Sequence, residues 1–142
     1  MKAMMARLLV TAVATAMGGL PALAADGERA FRSPTGNIHC LMENTTDAHG
    51  VRCDLVEATV SYRKRPADCD LDYGKAFYLD ALGRGEVACH GDTIIDPRAP
   101  VLDYGRSIEM GRVRCTSERS GMTCRNDIGH GFTIARAKQH VF

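Results

Sequence analysis

Six cysteines, Cys40, Cys53, Cys69, Cys89, Cys115 and Cys124, constrain this chain more than any other feature. None forms the C-x-x-C knuckle of a structural zinc site. An even number of well-separated cysteines in an oxidising compartment reads as a disulfide framework. The N-terminus supplies the compartment. Lys2 and Arg7 precede an apolar stretch from Leu8 to Leu20 that is too short to span a bilayer, and Pro21 and Ala22-Leu23-Ala24 follow as a helix break and a small-x-small cleavage signature. Residues 1–24 are therefore expected to be an export signal, and residues 25–142 a single periplasmic or secreted domain. No cysteine stands near the cut, so lipidation and stable membrane insertion after cleavage are not expected.

The local pattern narrows the connectivities. In "NIHCLM", residues 37–42, Ile38, Cys40 and Met42 share one face of an extended strand, as do Val51, Cys53 and Leu55 in "VRCDL", residues 51–55. Pairing Cys40 with Cys53 across an antiparallel hairpin sets Ile38 against Leu55 and Met42 against Val51. One register thus satisfies both the cysteines and the apolar faces. The same device sets Cys115 opposite Cys124 and Ser117 opposite Met122. Elimination leaves Cys69 with Cys89. Each closed loop stabilises by roughly 3 kcal/mol in the chain-entropy model, a large share of the net stability of a domain. A core with no Trp, four Phe and four Tyr needs such help.

Short alternating apolar runs, with twelve of the fourteen glycines falling after the leader, predict an all-β antiparallel domain: a meander, small sandwich or barrel-like form stapled by three disulfides. Strands are expected near 37–42, 51–57, 76–82, 86–90, 107–110, 112–117, 122–126 and 131–136, and a half-turn of helix over 137–142. An internal echo links "LDYGKAFYLDALGRGEVAC" (71–89) with "LDYGRSIEMGRVRC" (102–115), which suggests two related hairpins in one sheet with Tyr73 and Tyr104 in equivalent places.

These motifs resemble a family of small exported bacterial proteins classed only as a domain of unknown function. The resemblance rests on Ser33-Pro34-x-Gly36-Asn37-Ile38-x-Cys40, Gly50-Val51-Arg52-Cys53-Asp54, Leu71-Asp72-Tyr73-Gly74 and Cys89-x-Gly91-Asp92-Thr93. It continues through Val101-Leu102-x-Tyr104-Gly105, Cys115-Thr116-Ser117, Gly121-x-Thr123-Cys124-x-Asn126 and Gly129-His130-Gly131-Phe132. It covers Phe31 to Phe142, with Tyr73 where the family often has tryptophan. It implies one compact disulfide-bonded domain and no activity.

Candidate chemistry is sparse. Eighteen Lys and Arg stand against seventeen Asp and Glu; the leader removes two cations and no acids, leaving a charge of −1. No global field steers nucleic acid to such a protein, and the basic run Arg63-Lys64-Arg65 reads as a solvated loop. Gly105-Arg106-Ser107-Ile108-Glu109 fails the last position of a nucleophile elbow, and cysteines committed to disulfides offer no thiolate. Asp68, Asp70 and Asp72 imitate a calcium loop but lack its Gly and Glu, Tyr73 and Leu79 standing in those places. Asn44-Thr45-Thr46 is a glycosylation sequon without meaning in a bacterium. His90, Asp92 and His130 are the residues from which a binding site, or a small hydrolytic or metal-dependent centre, could be assembled. For His130, between Gly129 and Gly131, a turn opening a strand is the expected role. No cofactor is implied. The function expected is a binding or interaction module of the envelope, inhibitor-like in form, whose partner would be an envelope protein; the alternative is the small hydrolase or metal-dependent enzyme.

Overall fold

A computed structural model describes residues 26–142; the expected export signal lies outside the described residues. Ten strands follow one another: β1 Gly27–Arg32, β2 Ile38–Asn44, β3 His49–Leu55, β4 Ala76–Asp80, β5 Gly85–Val87, β6 Ser107–Met110, β7 Val113–Glu118, β8 Gly121–Asn126, β9 Gly131–Ile134 and β10 Gln139–Val141. They form two five-stranded antiparallel meanders, β1-β2-β3-β4-β5 and β10-β9-β8-β7-β6. The domain is all-β, and none of the described residues forms a helix long and apolar enough to cross a membrane.

The apolar alternation sets each inner face. Ile38, Met42, Val51, Leu55, Phe77 and Leu79 of the first sheet meet Val113, Met122, Phe132 and Ile134 of the second in one buried cluster. The β2–β3 register pairs Ile38 with Leu55, Cys40 with Cys53 and Met42 with Val51. The β7–β8 register pairs Cys115 with Cys124 and Ser117 with Met122. Three disulfides join Cys40 to Cys53, Cys69 to Cys89 and Cys115 to Cys124. The two cross-strand bridges have Cα atoms 4.1 Å apart, and their sulfurs meet across the sheets, with Cys53 Sγ 3.9 Å from Cys124 Sγ. Beside them the Phe77 and Phe132 rings pack at 6.1 Å between centroids. The bridges thus supply the apolar volume that a chain without tryptophan lacks.

Three expectations are corrected. Residues 27–32 form β1 along β2, from Gly27 opposite Asn44 to Arg32 opposite His39. The C-terminal residues form β10 against β9, not a half-turn of helix. Gln139 explains the second correction: its Nε2 donates to Ala135 O (2.7 Å) and its Oε1 accepts from Ser61 N (2.9 Å), so a buried amide anchors extended backbone. The LDYG echo is real in position but spans two sheets. Gly74 and Gly105, both at positive φ, precede the β4–β5 hairpin of one sheet and the β6–β7 hairpin of the other.

Two devices lock the sheets together at one end. Buried Asn126 donates to Asp80 O (3.2 Å) and Gly83 O (2.8 Å) while its Oδ1 accepts from His130 N (2.9 Å), so its amide is satisfied on both atoms. Phe142 O accepts from Gly131 N (2.8 Å) in one sheet and from Gly85 N (3.2 Å) in the other. The backbones touch here, because a Cβ at Gly85 would stand 1.8 Å from Gly131 O. Gly85→Ala must therefore part the sheets. We expect it to cost about 1–3 kcal/mol, the usual range for overpacking, and to lower the melting temperature by calorimetry. An unchanged melting curve would show that the sheets do not meet there.

Candidate functional site

His90 and Asp92 lie on the segment that leaves β5 and crosses the outer face of the first sheet. His90 pairs with Asp72 through two backbone hydrogen bonds (2.9 and 3.1 Å). Its Nδ1 lies 2.6 Å from Asp92 O; a carbonyl only accepts, so Nδ1 carries a proton and donates. Nε2 is buried and has no hydrogen-bond partner among the described residues. The Asp92 carboxylate faces elsewhere, accepting from Arg52 Nη1 at 2.9 Å, while Arg52 Nη2 reaches Asp92 O at 3.0 Å.

Arg52 is the hub of a clamp. It grips buried Asp54 with two parallel bonds, Nε to Oδ1 (2.8 Å) and Nη2 to Oδ2 (3.0 Å), the strong fork geometry of guanidinium and carboxylate. Asp54 Oδ2 also accepts from Thr93 Oγ1 (3.2 Å) and Ile94 N (3.1 Å). Farther along, Arg32 Nε donates to Ala99 O and Arg32 N to Pro100 O. The segment from Asp92 to Pro100 is thus a strap held on the sheet by buried polar groups. The hydrogen bond from Arg52, then its charge, holds Asp92 below the usual aspartate range. This end of the strap is fully clamped above the ordinary aspartate pKa and loosens as pH falls from there through the lowered value.

His130 belongs to the other sheet. It closes the β8–β9 turn, where Asn126 N donates to His130 O at 2.9 Å and Gly129 has φ +93°. Its own φ is not positive. The hollow that His90 lines, about 320 Å³ with Asp54, Asp72, Tyr73 and Lys75, includes neither Asp92 nor His130. Asp68 and Asp70 are exposed on either side of Cys69. Among the described residues, the group with metal-ligand proximity is Cys40, Cys53 and Cys124, whose sulfurs are bonded in disulfides.

A different place has the form of a binding site. At the end of the sandwich opposite the Asn126 lock, a half-enclosed cleft of about 470 Å³ opens between the sheets. The Ser33–Asn37 turn forms one wall, tied by Ser33 Oγ to Thr35 Oγ1 (3.1 Å) and by Asn37, whose side chain bonds the backbone of Glu57 in both directions (2.9 and 3.0 Å). Tyr104 and Arg119 form the other wall, the guanidinium lying 4.9 Å above the ring centroid. Arg119 makes no ion pair among the described residues, whereas Arg136 is held by Glu57 at 2.7 Å. Val56 is an exposed apolar contact at the rim. A concave surface with an aromatic body and a few convergent polar groups is the usual form of a ligand site. Sequence reasoning did not assemble these residues, because they come from five separated segments.

The model of a family of unknown function, DUF6636, matches residues 12–142. The chain belongs to that family. No curated protein and no solved structure matches it. DUF6636 brings no activity with it, so the chemistry of the site rests on the geometry above.

Two variants test the division between strap and turn. Asp54→Ala leaves Arg52, partly exposed and still bonded to Asp92, with half its clamp, and loss of hydrogen bonds to a charged group costs about 1.5–3 kcal/mol; chemical denaturation reads it, and a loss under 1 kcal/mol (about the worth of an exposed pair) would show the clamp to be dispensable. At the β8–β9 turn, a Cβ on Gly131 would meet Cys124 O at 2.0 Å. Gly131→Val should therefore lower the melting temperature clearly while His130→Asn leaves it unchanged. Zinc or calcium binding by the parent that vanished in His130→Asn would overturn that assignment.

Proposed function

We propose that the chain is an exported binding module of the bacterial envelope, inhibitor-like in form, whose contact surface is the cleft between the Ser33–Asn37 turn and Tyr104–Arg119. Export is supported by the leader pattern and by three disulfides, which persist in oxidising compartments. The observation that carries the binding reading is the contrast between the two groups of charges. Arg52 and Asp54 of β3 and Asp92 of the strap spend their hydrogen bonds on holding the fold, whereas Arg119 presents a cation with no ion-pair partner among the described residues over an aromatic ring at the mouth of a preformed hollow. A guanidinium so placed takes a carboxylate with directional hydrogen bonds, and Val56 and the Tyr104 face take an apolar side chain beside it. A segment of an envelope protein with an acidic residue next to an apolar one has that chemistry. Loops on a rigid stapled sheet bind with little ordering cost.

Fractionation and capture test both halves. The mature protein is expected in the periplasmic or secreted fraction with Ala25 at its N-terminus; full-length protein in the cytoplasm would overturn export. Oxidised wild-type protein should capture a partner from envelope extract, and Arg119→Glu, folded by its melting curve, should not. Arg114→Glu, on the outer face of the second sheet, serves as the control. Capture that survives Arg119→Glu, or is lost equally in Arg114→Glu, would rule out the cleft.

A further inference from the structure

The three disulfides occupy two very different environments. Cys40, Cys53, Cys115 and Cys124 are no more than 2% exposed, sealed between the sheets. Cys69 is buried but Cys89 is exposed, and the Cys69–Cys89 bridge lines a surface hollow of about 390 Å³ with Pro66, Tyr73, Tyr78 and Glu86. An attacking thiolate needs access to a sulfur along the bridge, and access selects among disulfides of one molecule. The basic run adds a second observation. Arg65 Nη1 donates to Leu71 O at 3.1 Å, and Cys69 Sγ lies 3.7 Å from that same carbonyl. A guanidinium therefore stands one carbonyl away from the sulfur that would leave, the cation that offsets the flanking Asp68 and Asp70 carboxylates when the thiolate forms.

We propose that Cys69–Cys89 is a thiol–disulfide exchange site, used by the exposed dithiol of a partner protein. The partner thiolate attacks Cys89 Sγ. The bond to Cys69 breaks, and its electron pair stays on Cys69 as a thiolate beside Arg65. The second partner thiolate then attacks the partner's own sulfur in the mixed disulfide and expels the Cys89 thiolate. Two electrons have passed to Cys69 and Cys89, whose thiolates take up from water the two protons that the partner dithiol released on ionising, and the partner dithiol has become a disulfide. The acids Asp68 and Glu86 that line the hollow select a partner whose dithiol has a neutral or cationic lip.

The consequence is local. The β3–β4 connection remains tied to the second sheet by Ser61 and Gln139, by Tyr62 Oη accepting from Val141 N, and by Thr59 N donating to Arg136 O. Only its apex around residues 63–71 is left with the Asp72–His90 backbone pair as its remaining hold on the strap side. Exchange at this site loosens the apex and widens the hollow while the sandwich stays closed.

The folded protein is exposed to low concentrations of dithiothreitol and the thiols are alkylated and mapped. Alkylation of Cys69 and Cys89, with the other two bridges intact and the sheets still protected from amide exchange, is the expected result. Arg65→Glu should slow the reaction several-fold without moving the melting temperature. As a protein probe, a thioredoxin-fold dithiol protein with its resolving cysteine replaced by serine should trap a mixed disulfide on Cys89. Opening of all three bridges together, prior opening of a core bridge, or trapping on any other cysteine or none would overturn the proposal.

Discussion

The contact between the two cross-strand disulfides is the constraint on which the sandwich depends. A cystine directly across a strand pair forces one register, since a slip by a single residue turns one sulfur to the face opposite its partner. Cys40–Cys53 fixes β2 against β3, Cys115–Cys124 fixes β7 against β8, and the 3.9 Å contact of Cys53 and Cys124 sets the two pairs face to face. Met42, Val51, Phe77, Met122 and Phe132 pack around this seam. The bridges both shorten the unfolded ensemble and fill the core of the folded state, and neither effect replaces the other.

Polar groups complete what apolar area cannot. Asn126 reaches across from the second sheet to two carbonyls of the β4–β5 turn, and Gln139 does the same toward Ser61. On the outer face of the first sheet, Arg52 and Asp54 hold the strap that crosses it. Each of these side chains is buried or nearly so and has its hydrogen-bonding atoms occupied, which is the condition under which burying a polar group rigidifies a fold.

The central strands and the connectivity were legible because β-alternation and cysteine placement point to the same faces in "NIHCLM" and "VRCDL", and again in "VRCTSERSGMTC". β1 was not legible, since "GERAFR" has a single inward anchor, Phe31, and no alternating partner for it. β10 was hidden by its brevity and by Gln139, a polar residue whose inward position only Ser61 and Ala135 explain. The echo showed two hairpins but not their sheets, because nothing local states which sheet a hairpin joins. The candidate site was least legible of all. His90 and Asp92 drew attention by residue type and proved to be joined through a backbone carbonyl, whereas Tyr104, Arg119, Glu57 and Asn37 matter by a convergence that only the folded chain creates.

The molecule divides its chemistry by place. Groups that usually signal reactivity, the sulfurs of the core and the carboxylates beneath the strap, are consumed in holding the sheets. What remains open lies at the periphery: a guanidinium with no ion-pair partner among the described residues over a tyrosine at one end of the sandwich, and a bridge exposed at Cys89 by the tip of the β3–β4 connection. The two regions share an element, because Val56 and Glu57 at the start of that connection form the rim of the cleft while Cys69 sits near its apex. Thr59, Ser61 and Tyr62 pin the stretch between them to the second sheet. A loosened apex is thereby insulated from the cleft, so that the proposed exchange at Cys69–Cys89 and the proposed binding beside Arg119 are expected to be energetically separate on one scaffold.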